Sequence, residues 1–435
     1  MLHFVAYSFL GALATLGFYS QAYELPHPTG PFNVGARRFI QPFFQNHTGY
    51  HHKWLSNETY EYMVTLYYPT LDESVPQPYL EPGLIDILER DIAIPKDTLR
   101  QFMGHRVWNA SFLDVQEAPG PTVFFDGRIR FPPSDGNSIL LSELASHGYT
   151  IAAIDHPYEQ LYLKYPNGTE VVNPLGHTCR ARDHDIHFGY FYTALRRGNV
   201  TLDLLDRWPQ LVDGWQAPFA KGNIGLLGVE MGASSMVDVA NHTSVGAVCA
   251  LGLQQPFGHM SMRQGFHWLS NIRDDKFFKI EKGLEFWGID RKCPGMHLGG
   301  RRDNSRFYWM KPLFPKAWWR WLVVKDAEQL DFTDWTIWKV FNHKHLENWQ
   351  VLANTMLFER HNAVGKINGE RMVNVTNHIV RAFFDRHLRP SVPYERILED
   401  PDPEYPEVEV MRGSFMHKDL GKVRDGGSAV EYLND

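Results

Sequence analysis

Short apolar runs take turns along this chain with stretches that carry an apolar residue every third or fourth position. The two periods predict strands and helices respectively. Residues 60–68 have the aromatic and β-branched content of a strand, stopped by Pro69. Residues 121–125 form a second strand, which runs into Asp126-Gly127-Arg128. The helical spacing of 138–147 leads through Gly148 into a strand at 149–154, and 183–208 reads as a long helix broken near Gly198. Further strands are predicted at 223–229, 245–251 and 320–325, with an amphipathic closing helix at 372–388. Strands alternating with helices imply βαβ units, so the expected class is α/β with a mostly parallel sheet.

Two stretches break the pattern. Residues 254–315 dissolve into Gly, Arg, Trp and Met, including Gly299-Gly300-Arg301-Arg302, and predict an irregular, lid-like insertion. Residues 401–435 turn acidic and Pro-rich, then Gly-rich, and predict a flexible tail behind a domain at 23–400. No internal repeat interrupts this order.

Composition narrows the function classes. With 435 residues and 43% hydrophobic content the chain can bury one large core. A net charge of −7 offers no basic field, which argues against nucleic acid as a partner. The run from Phe4 to Tyr19 is apolar and uncharged, and Ser20-Gln21-Ala22 supplies a small-x-small cleavage site. A signal peptide over 1–22 is therefore expected; left uncleaved, it would anchor the domain at a membrane surface. Seven N-x-[ST] sequons follow, at Asn46, Asn57, Asn109, Asn167, Asn199, Asn241 and Asn374, and fit a glycoprotein that is secreted or held in the ER/Golgi lumen.

Three cysteines cannot all pair. Cys249 lies in an apolar strand, whereas Cys179 and Cys293 lie in polar loops. A Cys179–Cys293 disulfide and three free thiols are both open readings. Many of the 13 Trp crowd residues 268–349, where they either pack the core or line a pocket for a bulky apolar ligand. H-E-x-x-H and paired-cysteine spacings are missing, and Asp183-His184-Asp185-Ile186-His187 falls on a helix, where adjacent side chains diverge. No metal and no cofactor are expected.

The chemistry concentrates at residues 223–236, Asn-Ile-Gly-Leu-Leu-Gly-Val-Glu-Met-Gly-Ala-Ser-Ser-Met: a strand, a corner between Gly228 and Gly232, then small helix-forming residues. This corner is similar to the G-x-S-x-G nucleophile elbow, in which a sharp strand-to-helix turn exposes a serine. Other blocks stand in matching order: PTVFFDGRI at 121–129, LASHGYTIAAIDHPY at 144–158, residues 165–168, 246–258, VVKDAEQLDFTD at 323–334, and FFDRHL at 383–388. Together they resemble the platelet-activating-factor acetylhydrolase-like α/β-hydrolases, especially their secreted fungal relatives, over residues 60–390. The resemblance implies an oxyanion hole built around Gly127, Arg128 and Met231.

It also implies a serine triad whose positions are occupied here by other residues. Glu230 stands in the serine position, Gly252 or Leu253 in the acid position, and Gln329 in the histidine position. Hydrolysis through a serine acyl-enzyme is therefore not expected. Ser234 and Ser235 fall in the first helical turn, His156 at a strand end beside Asp155, and His361 outside the histidine block. All four read as structural.

Glu230, Asp126 and Gln329 are the expected catalytic residues, with Glu230 as general base or acid, Asp126 as its counterpart, and Arg128 and Gln329 binding substrate oxygens. Such a site suits a lyase, isomerase or cyclase acting on a hydrophobic carbonyl compound, for instance in tailoring a polyketide or terpenoid. A non-catalytic binding protein and a carboxylic-ester hydrolase are the alternatives.

Overall fold

The computed structural model describes residues 22–44, 59–92, 94–113, 120–128, 134–157, 159–172, 183–252, 292–300, 316–341, 364–393, 395–401 and 403–414. Its frame is a ten-stranded sheet. In chain order the strands are β1 (Asn33–Phe44), β2 (Thr59–Thr70), β3 (Arg106–Trp108), β4 (Thr122–Asp126), β5 (Thr150–Asp155), β6 (Ile224–Val229), β7 (Val245–Leu251), β8 (Gly295–Gly300), β9 (Trp319–Val324) and β10 (Val408–Gly413). Across the sheet they stand β10-β9-β8-β7-β6-β4-β5-β2-β1-β3. Strands β5 through β9 are mutually parallel, while β2 and β10 join antiparallel.

The parallel strands are buried on both faces, which explains their near-continuous apolar runs. Alternate residues feed two cores, because neighbouring strand side chains point to opposite faces. Phe125, Ile151, Leu227, Val229 and Leu251 meet helices α2 (Ser138–Ser146) and α6 (Gly369–Leu388) on one face. Phe124, Ala152, Leu226, Val248 and Ala250 meet α3 (Asp183–Gly214) and α4 (Met231–Val239) on the other. A third core gathers α1 (Pro82–Ile92) with Trp335 and Trp338 of α5 (Trp335–Phe341). The Asp334 carboxylate ties these layers together, accepting hydrogen bonds from Tyr79 Oη at 2.7 Å and Ser138 Oγ at 3.1 Å. Its position at the start of α2 suits the exposed amides and positive end of a helix.

Three expectations need correction. The stretch assigned to an irregular insertion contains β8, fully buried between β7 and β9; the remainder, 253–291 and 301–315, lies outside the described residues. Helix α3 continues through Gly198 to Gly214, and Gly198 lets α3 approach Val239 and Ser235 of α4 closely. The tail assigned to 401–435 supplies the edge strand β10, with Tyr405 and Val408 buried; only 415–435 lie outside the described residues.

The first 21 residues, Asn46, Asn57, Cys179 and His361 also lie outside the described residues. Cys293 is buried, and its Sγ donates to the Ala240 carbonyl at 3.5 Å. Asn109, Asn167, Asn199, Asn241 and Asn374 are all exposed. Among the described residues no helix is long and apolar enough to cross a membrane.

Candidate active site

Strand β6 ends at Val229 and α4 begins at Met231, so the whole reversal is made at Glu230. Its backbone takes φ 54° and ψ −108°, a region that L-residues with a Cβ occupy at a cost of about 1–3 kcal/mol. The flanking glycines make this possible. A Cβ on Gly232 would lie 2.1 Å from the Asp126 carbonyl oxygen, and one on Gly228 would lie 2.4 Å from the Ala233 backbone. The Glu230 amide donates to the Leu251 carbonyl at 3.0 Å, leaning the corner on the end of β7. This is the strained elbow that the sequence implied, with a carboxylate at its apex.

The loop after β4 abuts the elbow, and it is this loop that brings Arg128 to Glu230. Arg128 Nε lies 3.0 Å from Glu230 Oε2, with the guanidinium side chain 1% and the carboxylate side chain 13% exposed. Met231 is fully buried at the first helical position, beside the Asp126-Gly127 backbone that packs on Gly232.

Asp126 is placed differently from the expectation. Side chains alternate along β4, so Asp126 shares a face with Phe124 and points toward α3. There Arg197 donates from Nη1 to Asp126 Oδ1 at 2.8 Å and to the Gly127 carbonyl at 2.6 Å, and from Nε to Glu159 Oε2 at 2.6 Å. Arg196 pairs with the other oxygen of Glu159. Asp126, Arg197 and Glu159 are all buried, and their mutual pairing is what makes burying such charges tolerable. Asp126 therefore anchors the loop beneath the site and does not serve as the acidic counterpart expected for Glu230.

His156 completes this network with Nε2 at 3.5 Å from Asp126 Oδ1. Burial pushes its imidazole down to about 4, outweighing the pull of Asp126 in the other direction. At neutral pH it is uncharged, as a structural residue under the loop should be. Next to it, burial pushes the Asp155 carboxyl up to about 7, against the donated bond from the Ser134 amide at 2.6 Å.

The residues expected at the acid and histidine positions meet, and neither carries a group that exchanges protons near neutral pH. Gln329, buried after β9, donates from Nε2 to the Gly252 carbonyl at 3.4 Å. Gly252, at φ 52°, follows β7 and has no side chain, and Leu253 lies outside the described residues. A glutamine amide cannot shuttle a proton near neutral pH.

The two serines that follow the corner are turned into the fold. Ser234 and Ser235 are fully buried on α4, and Ser235 Oγ donates to the Ala194 and Met231 carbonyls at 3.2 Å each. Sequence reasoning missed Arg197 and Glu159. The alternation of β4 could have turned Asp126 toward α3, but nothing in the sequence pairs a strand end with a helix residue 71 positions away.

No protein-family model matches the sequence, and no curated protein matches it. Among solved structures, the chain is similar to a ferulic acid esterase from Streptomyces cinnamoneus, with a TM-score of 0.67 and 23% identity. The match covers 90% of this chain and 100% of the esterase. At that identity the likeness speaks for fold alone. The chain has an α/β-hydrolase fold: a mostly parallel sheet flanked by helices, with Glu230 at the strand-to-helix corner.

Proposed function

We propose that this chain is an α/β-hydrolase-fold enzyme that works without a serine nucleophile, using Glu230 as general base on an apolar carbonyl compound. The observation that carries the reading is the elbow itself. Glu230 keeps a backbone conformation that glycine would adopt without strain, and it sits against Arg128 at the carboxyl end of the sheet, where open α/β folds bind ligands. Drift away from function would favour a residue that relieves this strain and avoids a partly buried charge.

The reaction follows from the groups present. The Glu230 carboxylate takes a proton from the carbon next to a carbonyl, and the electron pair left behind moves onto the carbonyl oxygen. In this reading the Arg128 guanidinium, the second amide hydrogen of Gln329 and the Met231 backbone N–H serve as donors to that oxygen. Glu230 then returns the proton at another carbon in an isomerisation, or a leaving group departs in an elimination. A cyclisation follows when the carbanion attacks a second carbonyl of the same molecule. Polyketide- and terpenoid-like carbonyl compounds fit this chemistry. The signal-like start, together with exposed sequon asparagines at 109, 167, 199, 241 and 374, supports work in the secretory pathway.

A second reading, a binding protein that has lost catalysis, is favoured by the same Arg128–Glu230 pair, because an ion bridge can also simply close an old oxyanion hole. A panel of apolar β-dicarbonyl and polyketide-like compounds, followed by mass spectrometry and by binding, separates the two. Turnover by the native chain that Glu230→Gln abolishes, with folding and binding retained, supports the enzyme. Turnover unchanged in Glu230→Gln removes that residue from the mechanism, and tight binding without turnover supports the binding protein.

A further inference from the structure

Far in sequence from the elbow, a three-stranded side sheet joins Tyr23–Glu24, Phe102–Gly104 and Gln77–Pro78. The first two pair in parallel, with Glu24 opposite Met103, and Leu25 N donates to the Met103 carbonyl at 2.9 Å. Alternation then puts His105, two residues past Met103, on the same side as Glu24. His27 follows three residues after Glu24, bracketed by Pro26 and Pro28, whose fixed φ angles restrict the backbone around it. Downstream, the Thr29 amide donates to Glu143 Oε2 at 2.8 Å and pins the segment to α2.

The outcome is a convergence of ligand-type atoms. His27 Nε2 lies 3.2 Å and His105 Nε2 3.9 Å from Glu24 Oε2. One ligand atom from each of the three residues lies within 4.8 Å of the other two. The two imidazoles stack with centroids 3.6 Å apart at 28°. Tetrahedral zinc, with bonds of about 2.0–2.2 Å, sets neighbouring ligand atoms about 3.3 Å apart. Two imidazoles on one tetrahedral ion hold their ring centroids about 5 Å apart, so binding opens the stack, with the exposed His27 swinging away from His105, whose side chain is 9% exposed.

We propose that Glu24, His27 and His105 form a binding site for a divalent transition-metal ion of the zinc class, with a fourth position open to solvent. Two imidazoles and one carboxylate select such ions over magnesium and calcium, which favour all-oxygen shells. Coordination through His105 Nε2 moves the ring proton to Nδ1 and gives up the 3.1 Å contact with the Leu25 carbonyl. The ion would staple the start of the described chain to the side sheet, away from the elbow.

The test is calorimetric titration of the chelator-treated full chain with zinc chloride, repeated on His27→Gln and on Glu24→Gln. Both side chains are exposed, so neither change threatens folding. The native chain should take up one more equivalent of zinc than either variant, or bind it roughly 10- to 100-fold more tightly, and zinc should raise the melting temperature of the native chain only. Magnesium should give no such difference. Superimposable zinc titrations for the native chain and both variants, or an equal magnesium response, would overturn the assignment.

Discussion

Neutralising either partner of the Arg128–Glu230 pair should destabilise the fold by more than neutralising the second partner afterwards. At 3.0 Å, and with the effective dielectric near 20 that suits protein charges, the attraction is about 5 kcal/mol. Desolvation opposes it, most strongly for Arg128 at 1% exposure and less for Glu230 at 13%. We expect a net coupling of about 2–4 kcal/mol, at or below the range for breaking a buried pair, since solvent reaches one side. Arg128→Met keeps the apolar stem and Glu230→Gln keeps both side-chain shape and corner backbone, so the strain at φ 54° cancels from the cycle. Denaturant midpoints of the native chain, both single variants and the double variant give the coupling. Salt should change it little, because a buried pair is weakly screened. Single-variant losses that add to within about 0.5 kcal/mol would refute the pairing.

Two further outcomes follow from the packing. Because His156 binds its proton less readily in the folded chain than in the unfolded one, stability is complete above the ordinary histidine value and falls as pH drops through about 4. Denaturation at pH 7 and 4.5 should therefore show His156→Gln losing roughly 2–3 kcal/mol less than the native chain on acidification; parallel pH slopes would refute this. Gly232→Ala drives a Cβ to 2.1 Å from the Asp126 carbonyl and should cost at least about 3 kcal/mol or prevent folding. Gly222→Ala, where a Cβ meets nothing within 4 Å, should stay within about 0.5 kcal/mol on the same denaturation assay.

The parallel core was legible because buried strands are written as unbroken apolar runs, and β4, β5, β6 and β7 fall where those runs do. The elbow was legible because Gly228 and Gly232 bracket it, and the backbone there tolerates little else. Strand β8 was not: Gly-Met-His-Leu-Gly-Gly has no β-branched residue, and only burial between β7 and β9 makes it a strand. The role of Asp126 was half legible. Its side of the sheet follows from alternation, but its partner Arg197 belongs to tertiary packing. Glu24, His27 and His105 escaped motif reading for the same reason: the third residue arrives through the distant pairing of Glu24 with Met103.

Intact-mass analysis after exposure to a serine-directed fluorophosphonate tests most directly whether this elbow has given up its nucleophile. The native chain should keep its unmodified mass while a serine esterase treated alongside is labelled to completion. A single adduct mapped to Ser234, Ser235 or another serine at the carboxyl edge of the sheet would mean that a hydroxyl nucleophile, and not proton abstraction by Glu230, starts the chemistry of this protein.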